Sequence, residues 1–133
     1  MAWSYLDLVD FLLIAEAVVE VPAEDVARVA RLDLAESALH APQASFDGVE
    51  FYPDLASKTA ILASRIIRNH PLPDGNKRAG FLCALEFVAR NGGWWAPPPD
   101  DPEGDETVAI IEGVAAGTID EEGFAEWVRD RLG

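Results

Sequence analysis

The pattern of apolar and polar positions predicts a helical protein with two long central helices. Residues 55–69 leave so little polar surface that this segment is expected to lie at the centre of the fold. Residues 77–91 carry apolar side chains at helical spacing. Asp54 is suited to cap the first helix, and Gly92 and Gly93 to end the second.

Further helices are predicted on both sides of this pair. Apolar residues are so numerous near the N-terminus that the first helix is expected to be largely buried. They include Leu6, Val9, Leu13 and Val18. Pro22 suits the first turn of a second helix over 23–30. The remaining predicted helices cover 32–40, 106–116 and 120–132. Because strand signals are sparse, the predicted fold class is a compact all-α bundle.

One short segment departs from the helical pattern. Phe46 and Val49 flank Asp47 and Gly48, and an Asp-Gly pair between apolar residues is a strong hairpin signal. We interpret residues 44–52 as a small β-hairpin or extended flap. An ordinary surface loop fits the local sequence equally well, so both interpretations stay open at this point.

Composition narrows the class of protein. A length of 133 residues suits one domain, 1–133, and 50% hydrophobic with 26% charged residues is typical of a folded one. The net charge of −14 disfavours broad nucleic-acid binding. Cys83 is the one cysteine, which rules out an internal disulfide. Since we recognise neither a secretory signal nor a membrane span, we expect a cytoplasmic protein with no membrane partner.

The positive charge is concentrated in one part of the chain. Residues 58–90 hold six basic and two acidic residues, a net charge of +4, whereas the rest holds four basic and 22 acidic residues, a net charge of −18. The basic residues are Lys58, Arg65, Arg68, Lys77, Arg78 and Arg90. A basic island in an acidic protein predicts an anion-binding site. For Arg65 and Arg68 alone, solvation of a helix edge explains the charge equally well.

The segment 70–78, His-Pro-Leu-Pro-Asp-Gly-Asn-Lys-Arg, lies at the centre of this island. It leads into a predicted helix N-terminus, where unpaired N–H groups and the helix dipole attract anions. Gly75 allows a positive φ or a close backbone approach to a ligand. Lys77 and Arg78 add two cations beside the same N–H groups. Together these features predict a phosphate cradle.

Two further side chains of the segment are suited to take part in a reaction at the phosphate cradle. Asp74 supplies a carboxylate suited to Mg²⁺ that is held mainly by substrate phosphates and water. His70 is the one nearby side chain that can take up a proton near neutral pH. Anion cradle, metal carboxylate and base together point to phosphoryl or nucleotidyl transfer.

The same segment resembles the signature loop of the Fic/Doc superfamily, His-x-Phe-x-Asp/Glu-Gly-Asn-x-Arg. Lys77 between the Asn and the Arg is similar to the Doc (death-on-curing) branch, toxins of bacterial toxin–antitoxin pairs. The resemblance covers about residues 5–132 and implies a Fic/Doc-type helical bundle with a flap. Leu72 stands where the family has Phe, a change expected to loosen packing without altering chemistry.

The resemblance also implies roles for individual residues. His70 would deprotonate a hydroxyl of the target protein, and Asp74 would hold Mg²⁺ on the phosphates of the nucleotide. Nucleotide phosphates would be bound and oriented by Gly75, Asn76, Lys77 and Arg78. The target backbone would be docked by strand addition on the flap residues Phe46, Asp47, Gly48 and Val49.

Two departures from the AMP-transferring Fic enzymes bear on the reaction. Those enzymes have Gly in place of Lys77 and a second Arg in place of Phe81. Doc proteins share both departures and resemble kinases that bind ATP reversed and transfer its γ-phosphate. The resemblance therefore implies a toxin kinase that uses Mg²⁺ and ATP, phosphorylates a Ser or Thr hydroxyl of a translation factor such as elongation factor Tu, and pairs with a cognate antitoxin. The alternatives are AMP or nucleotidyl transfer to a protein hydroxyl and a catalytically idle binding module.

A second motif is similar to the inhibitory helix of self-restrained Fic enzymes. Thr118 is followed by Glu122 and Gly123 at the spacing of that helix. The Arg that the inhibitory Glu pairs with is missing here. We therefore expect an ordinary helix start, capped by Thr118 or Asp120, with silencing supplied by an antitoxin segment.

Overall fold

The computed structural model describes residues 2–133 and has the predicted all-α fold with one small hairpin. Seven α-helices and two short strands follow one another along the chain. The helices are α1 (Leu8–Val19), α2 (Ala23–Val29), α3 (Leu32–His40), α4 (Leu55–Asn69), α5 (Asn76–Arg90), α6 (Asp105–Ala116) and α7 (Glu121–Arg131). A short 3₁₀ turn, Ala41–Gln43, leads from α3 to the strands β1 (Ser45–Phe46) and β2 (Val49–Glu50).

Helix α4 is the centre of the fold, as its apolar sequence predicts. It packs against α3, α5, α6 and α7. Its start is fixed by a capping box, in which the Asp54 carboxylate accepts a hydrogen bond of 2.9 Å from the Ser57 N–H and the Asp54 N–H donates one of 3.3 Å to Ser57 Oγ. Both the bounds and the cap of this helix are therefore confirmed.

Two hydrophobic clusters lie on opposite sides of the α4–α5 pair. The first joins α1 and α3 to it and includes Phe11 and Phe87. The second joins α6 and α7 to it and includes Phe124 and Val128. Because apolar burial holds the pair from both sides, the loop between the two helices is carried by a rigid support.

Helices α4 and α5 approach closely at Gly80. A Cβ atom added to this glycine would lie 2.7 Å from Ile67 Cγ1 and 3.1 Å from the Ala63 carbonyl oxygen. A larger residue would force the two helices apart. Gly80 therefore sets the spacing of the pair on whose connecting loop the candidate site is built.

The segment with the Asp-Gly pair forms the hairpin rather than an irregular loop. Strands β1 and β2 pair antiparallel, with Phe46 opposite Val49. Asp47 has φ 53° and Gly48 has φ 78°. Positive φ at both turn positions is what a type I′ two-residue hairpin requires. The turn chemistry thus decides between the two interpretations.

Helix α1 is less buried than its composition predicts. Phe11, Ala15 and Val18 face the core, but Val9 is 63% exposed and Leu13 is 54% exposed. The expectation of a largely buried helix is wrong, because α1 packs mainly against α2, α3 and α5 and leaves one face in solvent. Within residues 2–133, no helix combines the length and the hydropathy that crossing a membrane requires.

Candidate active site

The loop between α4 and α5 is anchored by Leu72. This side chain is completely enclosed in the first hydrophobic cluster. The Leu72 N–H donates to Asn76 Oδ1 and the Leu72 carbonyl accepts from Asn76 Nδ2, both at 2.9 Å. The Asn76 side chain thus holds the loop together, and the backbone N–H of Asn76 is the group left for a phosphate.

A second anchor, Arg31, comes from the connection between α2 and α3. Its guanidinium donates to the His70 carbonyl oxygen, and its backbone N–H donates to the Pro71 carbonyl oxygen at 2.8 Å. Sequence reasoning missed this residue, since it lies outside the basic island and far from the loop in sequence. Arg31 fixes the backbone of the proposed base.

His70 is positioned by the end of α4. It occupies the C-cap with φ 56° and ψ 55°, and its N–H donates to the Ile66 carbonyl oxygen at 3.3 Å. Histidine is among the residues enriched in this left-handed region. The turn ends the helix and leaves the imidazole exposed on the wall of a cavity.

The start of α5 offers unpaired backbone donors. Gly75 occupies the N-cap with φ 82° and provides no side-chain cap. The N–H groups of Asn76, Lys77 and Arg78 belong to the first helical turn, which has no intrahelical acceptors. A Cβ atom on Gly75 would lie 2.8 Å from Val18 Cγ1, so both the φ value and the packing require glycine. The positive end of the helix dipole therefore stays open to an anion.

The predicted loop residues line one cavity of about 500 Å³, which we call the loop cavity. Its wall contains His70, Asp74, Gly75, Asn76, Lys77 and Arg78, together with Ile67, Arg68 and Ala115. Lys77 Nζ is held by the Glu112 carboxylate of α6 at 3.0 and 3.1 Å. The structure thus brings His70, Asp74 and the cations Lys77 and Arg78 to a single surface.

Arg68 is an additional cation in this wall. Among residues 2–133, neither Arg68 nor Arg78 forms an ion pair with a carboxylate. Sequence reasoning included Arg68 in the basic island but left solvation of a helix edge as an equally good explanation. Its position two residues before His70, on the exposed side of the last turn of α4, places it in the loop cavity.

The other half of the basic island lies elsewhere. Lys58 is buried beneath the hairpin, Arg65 pairs with Glu121 of α7, and Arg90 pairs with Asp10 of α1. These three residues do not line the loop cavity, so they are not part of the anion site that the basic island predicts there. Helices α4 and α5 are each about 22 Å long and antiparallel. Lys58, near the start of α4, and Arg90, at the end of α5, therefore lie far from the loop that joins the two helices.

The flap residues do not line the loop cavity. Phe46 and Val49 are exposed at the tip of the hairpin, together with the turn residues Asp47 and Gly48. The chain beyond β2 reaches a second cavity of about 420 Å³, which we call the hairpin cavity. That cavity is lined by Phe51 and Tyr52 and by the acidic residues Glu121, Glu122 and Glu126 of α7.

A shallow depression connects the two cavities. It is lined by Arg65, Arg68, Asn69, Asp120 and Glu121. Glu121 also lines the hairpin cavity, and Arg68 also lines the loop cavity. In its middle, Glu121 Oε2 accepts a hydrogen bond of 2.9 Å from Arg65 Nε, which raises the pKa of the guanidinium.

The residues present suit a metal ion that is shared with a ligand. In the part of the chain that the structure describes, no group of three or more His, Cys, Asp or Glu side chains could hold a metal. Asp74 stands exposed in the cavity wall and forms no ion pair with any residue from 2 to 133. One free carboxylate beside a phosphate cradle fits Mg²⁺, which keeps several waters and takes its remaining ligands from phosphates.

The start of α7 is an ordinary capped helix end, as predicted. The Asp120 carboxylate accepts a hydrogen bond of 2.7 Å from the Gly123 N–H. Thr118 instead donates to the Gly113 carbonyl oxygen at 3.2 Å. Asp120 is therefore the N-cap, and the acidic residues after it complement the helix dipole.

Comparison with known proteins gives the family. The model of the Fic/DOC family matches residues 5–88, more than half of the chain. The protein belongs to the Fic/DOC family. A relative, the Toxin Doc of Mycolicibacterium smegmatis, is 44% identical over 59 residues. That alignment covers 44% of this chain and 45% of the relative, so the chain spans less than half of the relative's length. The resemblance to the Doc branch seen in the loop sequence is confirmed by this match.

Proposed function

We propose that this Fic/DOC protein is a toxin of the Doc type that transfers the γ-phosphate of ATP to a Ser or Thr hydroxyl of a translation factor. Elongation factor Tu is the expected target. The observation that carries the proposal is the loop cavity, where His70, Asp74, Lys77 and Arg78 surround the uncapped start of α5. A base, a metal carboxylate and an anion cradle are the parts that phosphoryl transfer needs.

Phosphate binding is assigned to the backbone and the cations of the loop. The N–H groups of the first turn of α5 point along the helix axis into the cavity and donate to phosphate oxygens. Arg78 and Arg68 add charge-assisted hydrogen bonds. Lys77 can leave Glu112 for a phosphate, because the Lys77–Glu112 pair is exposed and an exposed pair contributes little stability.

Proton transfer is assigned to His70. A nitrogen of its imidazole accepts the proton of the target hydroxyl as the hydroxyl oxygen forms a bond to the γ-phosphorus. The bond between the γ-phosphorus and the bridging oxygen breaks, and ADP leaves. When bound at Asp74, Mg²⁺ supplies neutralisation of the charge on the phosphates. Arg31 keeps His70 in place throughout through the backbone carbonyl.

The surroundings of Phe81 support γ-phosphate transfer over AMP transfer. The AMP-transferring relatives carry an Arg here for a terminal phosphate. In this protein the Phe81 ring packs edge-on against Trp95, with centroids 5.7 Å apart and planes at 79°. An aromatic pair gives no charge to a phosphate, so the phosphates are best accommodated at the loop itself.

The partners follow from the same proposal. The target would dock on the exposed hairpin and reach His70 along the depression beside α7. The relative is named a toxin, and a toxin of this type would be restrained by a cognate antitoxin in the cytoplasm, where translation factors work.

Label transfer in a bacterial lysate tests the proposal. The purified protein is incubated with lysate and either γ-labelled or α-labelled ATP, and labelled proteins are separated and identified by mass spectrometry. We expect label on one translation factor from γ-labelled ATP alone. Label from α-labelled ATP would show nucleotidyl transfer instead, and no label from either nucleotide would show an idle binding module.

A further inference from the structure

The hairpin cavity, of about 420 Å³, combines aromatic, apolar and acidic side chains. Phe51 and Tyr52 contribute two rings, whose centroids lie 6.5 Å apart with their planes at 89°. Ile61 of α4 and Ala125 of α7 contribute apolar surface. A cavity of this size and lining can take a ligand that is apolar along part of its length. Nothing in the proposed chemistry of the loop cavity uses it.

Two of the carboxylates in the hairpin cavity have no counter-charge. Glu121 and Arg129, which also line the cavity, are each paired with an opposite charge. Among residues 2–133, Glu122 and Glu126 form no ion pair and both are exposed. The cavity therefore keeps an uncompensated negative charge.

The stability of α7 does not account for both of these carboxylates. Glu122 lies in the first turn, where the helix dipole favours an acid, but Glu126 lies one turn later, beyond the reach of that effect. The two residues are four positions apart, so they share one face of the helix and repel each other. A bound cation would relieve this repulsion.

The lining of the cavity fits an organic cation better than a metal ion. Among residues 2–133, no three His, Cys, Asp or Glu side chains are grouped so that they could hold a metal. A Lys or Arg side chain of a bound polypeptide matches each part of the lining. Its apolar stem packs on Ile61, its charged end approaches an aromatic ring, and the carboxylates accept its hydrogen bonds.

The distance from the hairpin cavity to His70 suits a short stretch of extended polypeptide. Ile61 lines the hairpin cavity and Ile67 lines the loop cavity. From Ile61, Ile67 is six and His70 is nine positions further along the chain of α4 and its C-cap, which gives about 9 and about 14 Å along the helix axis. An extended chain advances about 3.3 Å per residue, so this distance corresponds to about three or four residues.

We propose that the hairpin cavity is a specificity subsite that takes a Lys or Arg side chain of the target protein, three or four residues from the hydroxyl that is modified. This inference rests on the proposed function, since it concerns the polypeptide that presents its hydroxyl to His70. The target then runs from the hairpin cavity through the depression to the loop cavity. Glu122 and Glu126 select the target and take no part in the transfer itself.

Kinetics with two double variants test the subsite. Glu122→Gln/Glu126→Gln removes the two unpaired carboxylates. Glu24→Gln/Glu36→Gln removes the same charge from exposed positions of α2 and α3 outside the hairpin cavity and the depression. The substrate is the protein that the wild type labels from γ-labelled ATP in bacterial lysate, purified after its identification. Circular dichroism confirms that the variants are folded, and calorimetry measures their affinity for Mg·ATP.

We expect KM for the protein substrate to rise about tenfold in Glu122→Gln/Glu126→Gln, as loss of a charge-assisted hydrogen bond predicts. The kcat and the affinity for Mg·ATP should not change, and the control variant should keep the wild-type KM. An unchanged KM in the first variant, or an equal rise in both, would overturn the subsite and leave the proposed function standing. If the wild type labelled no protein, the proposed function and the subsite would fail together.

A charge swap tests the contact itself. Mass spectrometry should locate the label on a Ser or Thr with a Lys or Arg three or four residues away. Replacing that basic residue of the substrate with glutamate should lower labelling by the wild type about tenfold, and Glu126→Lys should restore it. A labelled residue without Lys or Arg at those positions, or no restoration by Glu126→Lys, would overturn the subsite while the proposed function stands.

Discussion

Lys58 and Glu50 join the core of the protein to its hairpin. Lys58 lies in α4 and is completely buried, and its Nζ donates to Glu50 Oε1 of β2 at 2.7 Å and to the Pro42 carbonyl oxygen at 2.9 Å. The ammonium also lies 5.1 Å from the ring centroid of Trp3 and 5.5 Å from that of Tyr5. A two-stranded hairpin is marginal by itself, so we infer that this ion pair, buried on the Lys58 side, helps to hold it against the helices.

Removing the carboxylate of this pair should destabilise the fold. In Glu50→Ala the buried ammonium loses its counter-charge, and we expect the free energy of unfolding to fall by about 1–3 kcal/mol, less than for a fully buried pair because Glu50 is partly exposed. Urea unfolding measures the effect. Glu36→Ala, at an exposed position of α3, is the control and should stay within about 0.5 kcal/mol of the wild type. Equal stability of the two variants would show that the pair does not hold the hairpin.

Replacing the proposed base should abolish transfer without affecting the fold. His70→Ala removes the proton acceptor, and we expect the rate of label transfer from γ-labelled ATP to fall by about 10²–10⁴. Mg·ATP affinity should change little, since the phosphates are bound by the start of α5. His40→Ala at the exposed end of α3 is the matched control and should keep full activity. Wild-type rates in the His70 variant would remove this residue from the mechanism.

The helices were predictable because their signals are local. Asp54 and the apolar run after it lie together in sequence, and the bounds of α4 follow from them. Sequence alone did not distinguish a hairpin from a loop at residues 44–52. The deciding feature is positive φ at Asp47 and Gly48, a backbone conformation that is seen only in the structure. Val9 and Leu13 were misjudged for another reason, since an apolar residue does not show whether a partner helix covers it.

The candidate site, too, could be predicted from the sequence only in part. The residues of the signature loop are contiguous, so their convergence on the loop cavity could be expected. Arg31 could not be found, because its contact with the His70 carbonyl joins residues that are distant in sequence. The burial of Lys58 among Trp3, Tyr5 and Glu50 likewise depends on the tertiary fold. Counting charges along the chain could therefore not predict it.

Two aspartates should make the protein sensitive to acid. The pKa of Asp10 is lowered from 3.8, mainly by the hydrogen bond from Arg90. Burial acts to raise the pKa of Asp54, but hydrogen bonds from Ser57 and Arg129 outweigh it and the net shift is downward. A depressed folded-state pKa contributes stability above the unfolded value of about 3.8, and this stability is lost as the pH falls through the folded value.

We therefore expect the urea midpoint to be steady from about pH 7 to pH 5 and to fall below about pH 4. Asp10→Asn should be less stable at neutral pH and show a shallower acid decline. Asp33→Asn, at an exposed position in the first turn of α3, serves as the control and should keep the wild-type slope. A midpoint that rises on acidification would contradict the assigned directions of both pKa shifts.

Asp74 should make nucleotide binding depend on Mg²⁺. In the wild type we expect Mg²⁺ to increase the affinity for ATP, and in Asp74→Asn the addition of Mg²⁺ should have little effect because the carboxylate ligand is gone. Titration of ATP with and without Mg²⁺ measures this difference. Asp130→Asn, exposed on α7, is the control. Equal Mg²⁺ dependence in the two variants would place the metal at another ligand.

The most direct test asks whether the uncapped start of α5 binds nucleotide phosphates. Mg·ATP is titrated calorimetrically into the wild type, Arg78→Met and Arg28→Met, the last being an exposed arginine of α2 outside the loop cavity. We predict one bound nucleotide per chain, about tenfold or more weaker binding in Arg78→Met, and wild-type affinity in Arg28→Met. Failure of the wild type to bind Mg·ATP, or equal affinities in the two variants, would contradict a phosphate site at this helix end.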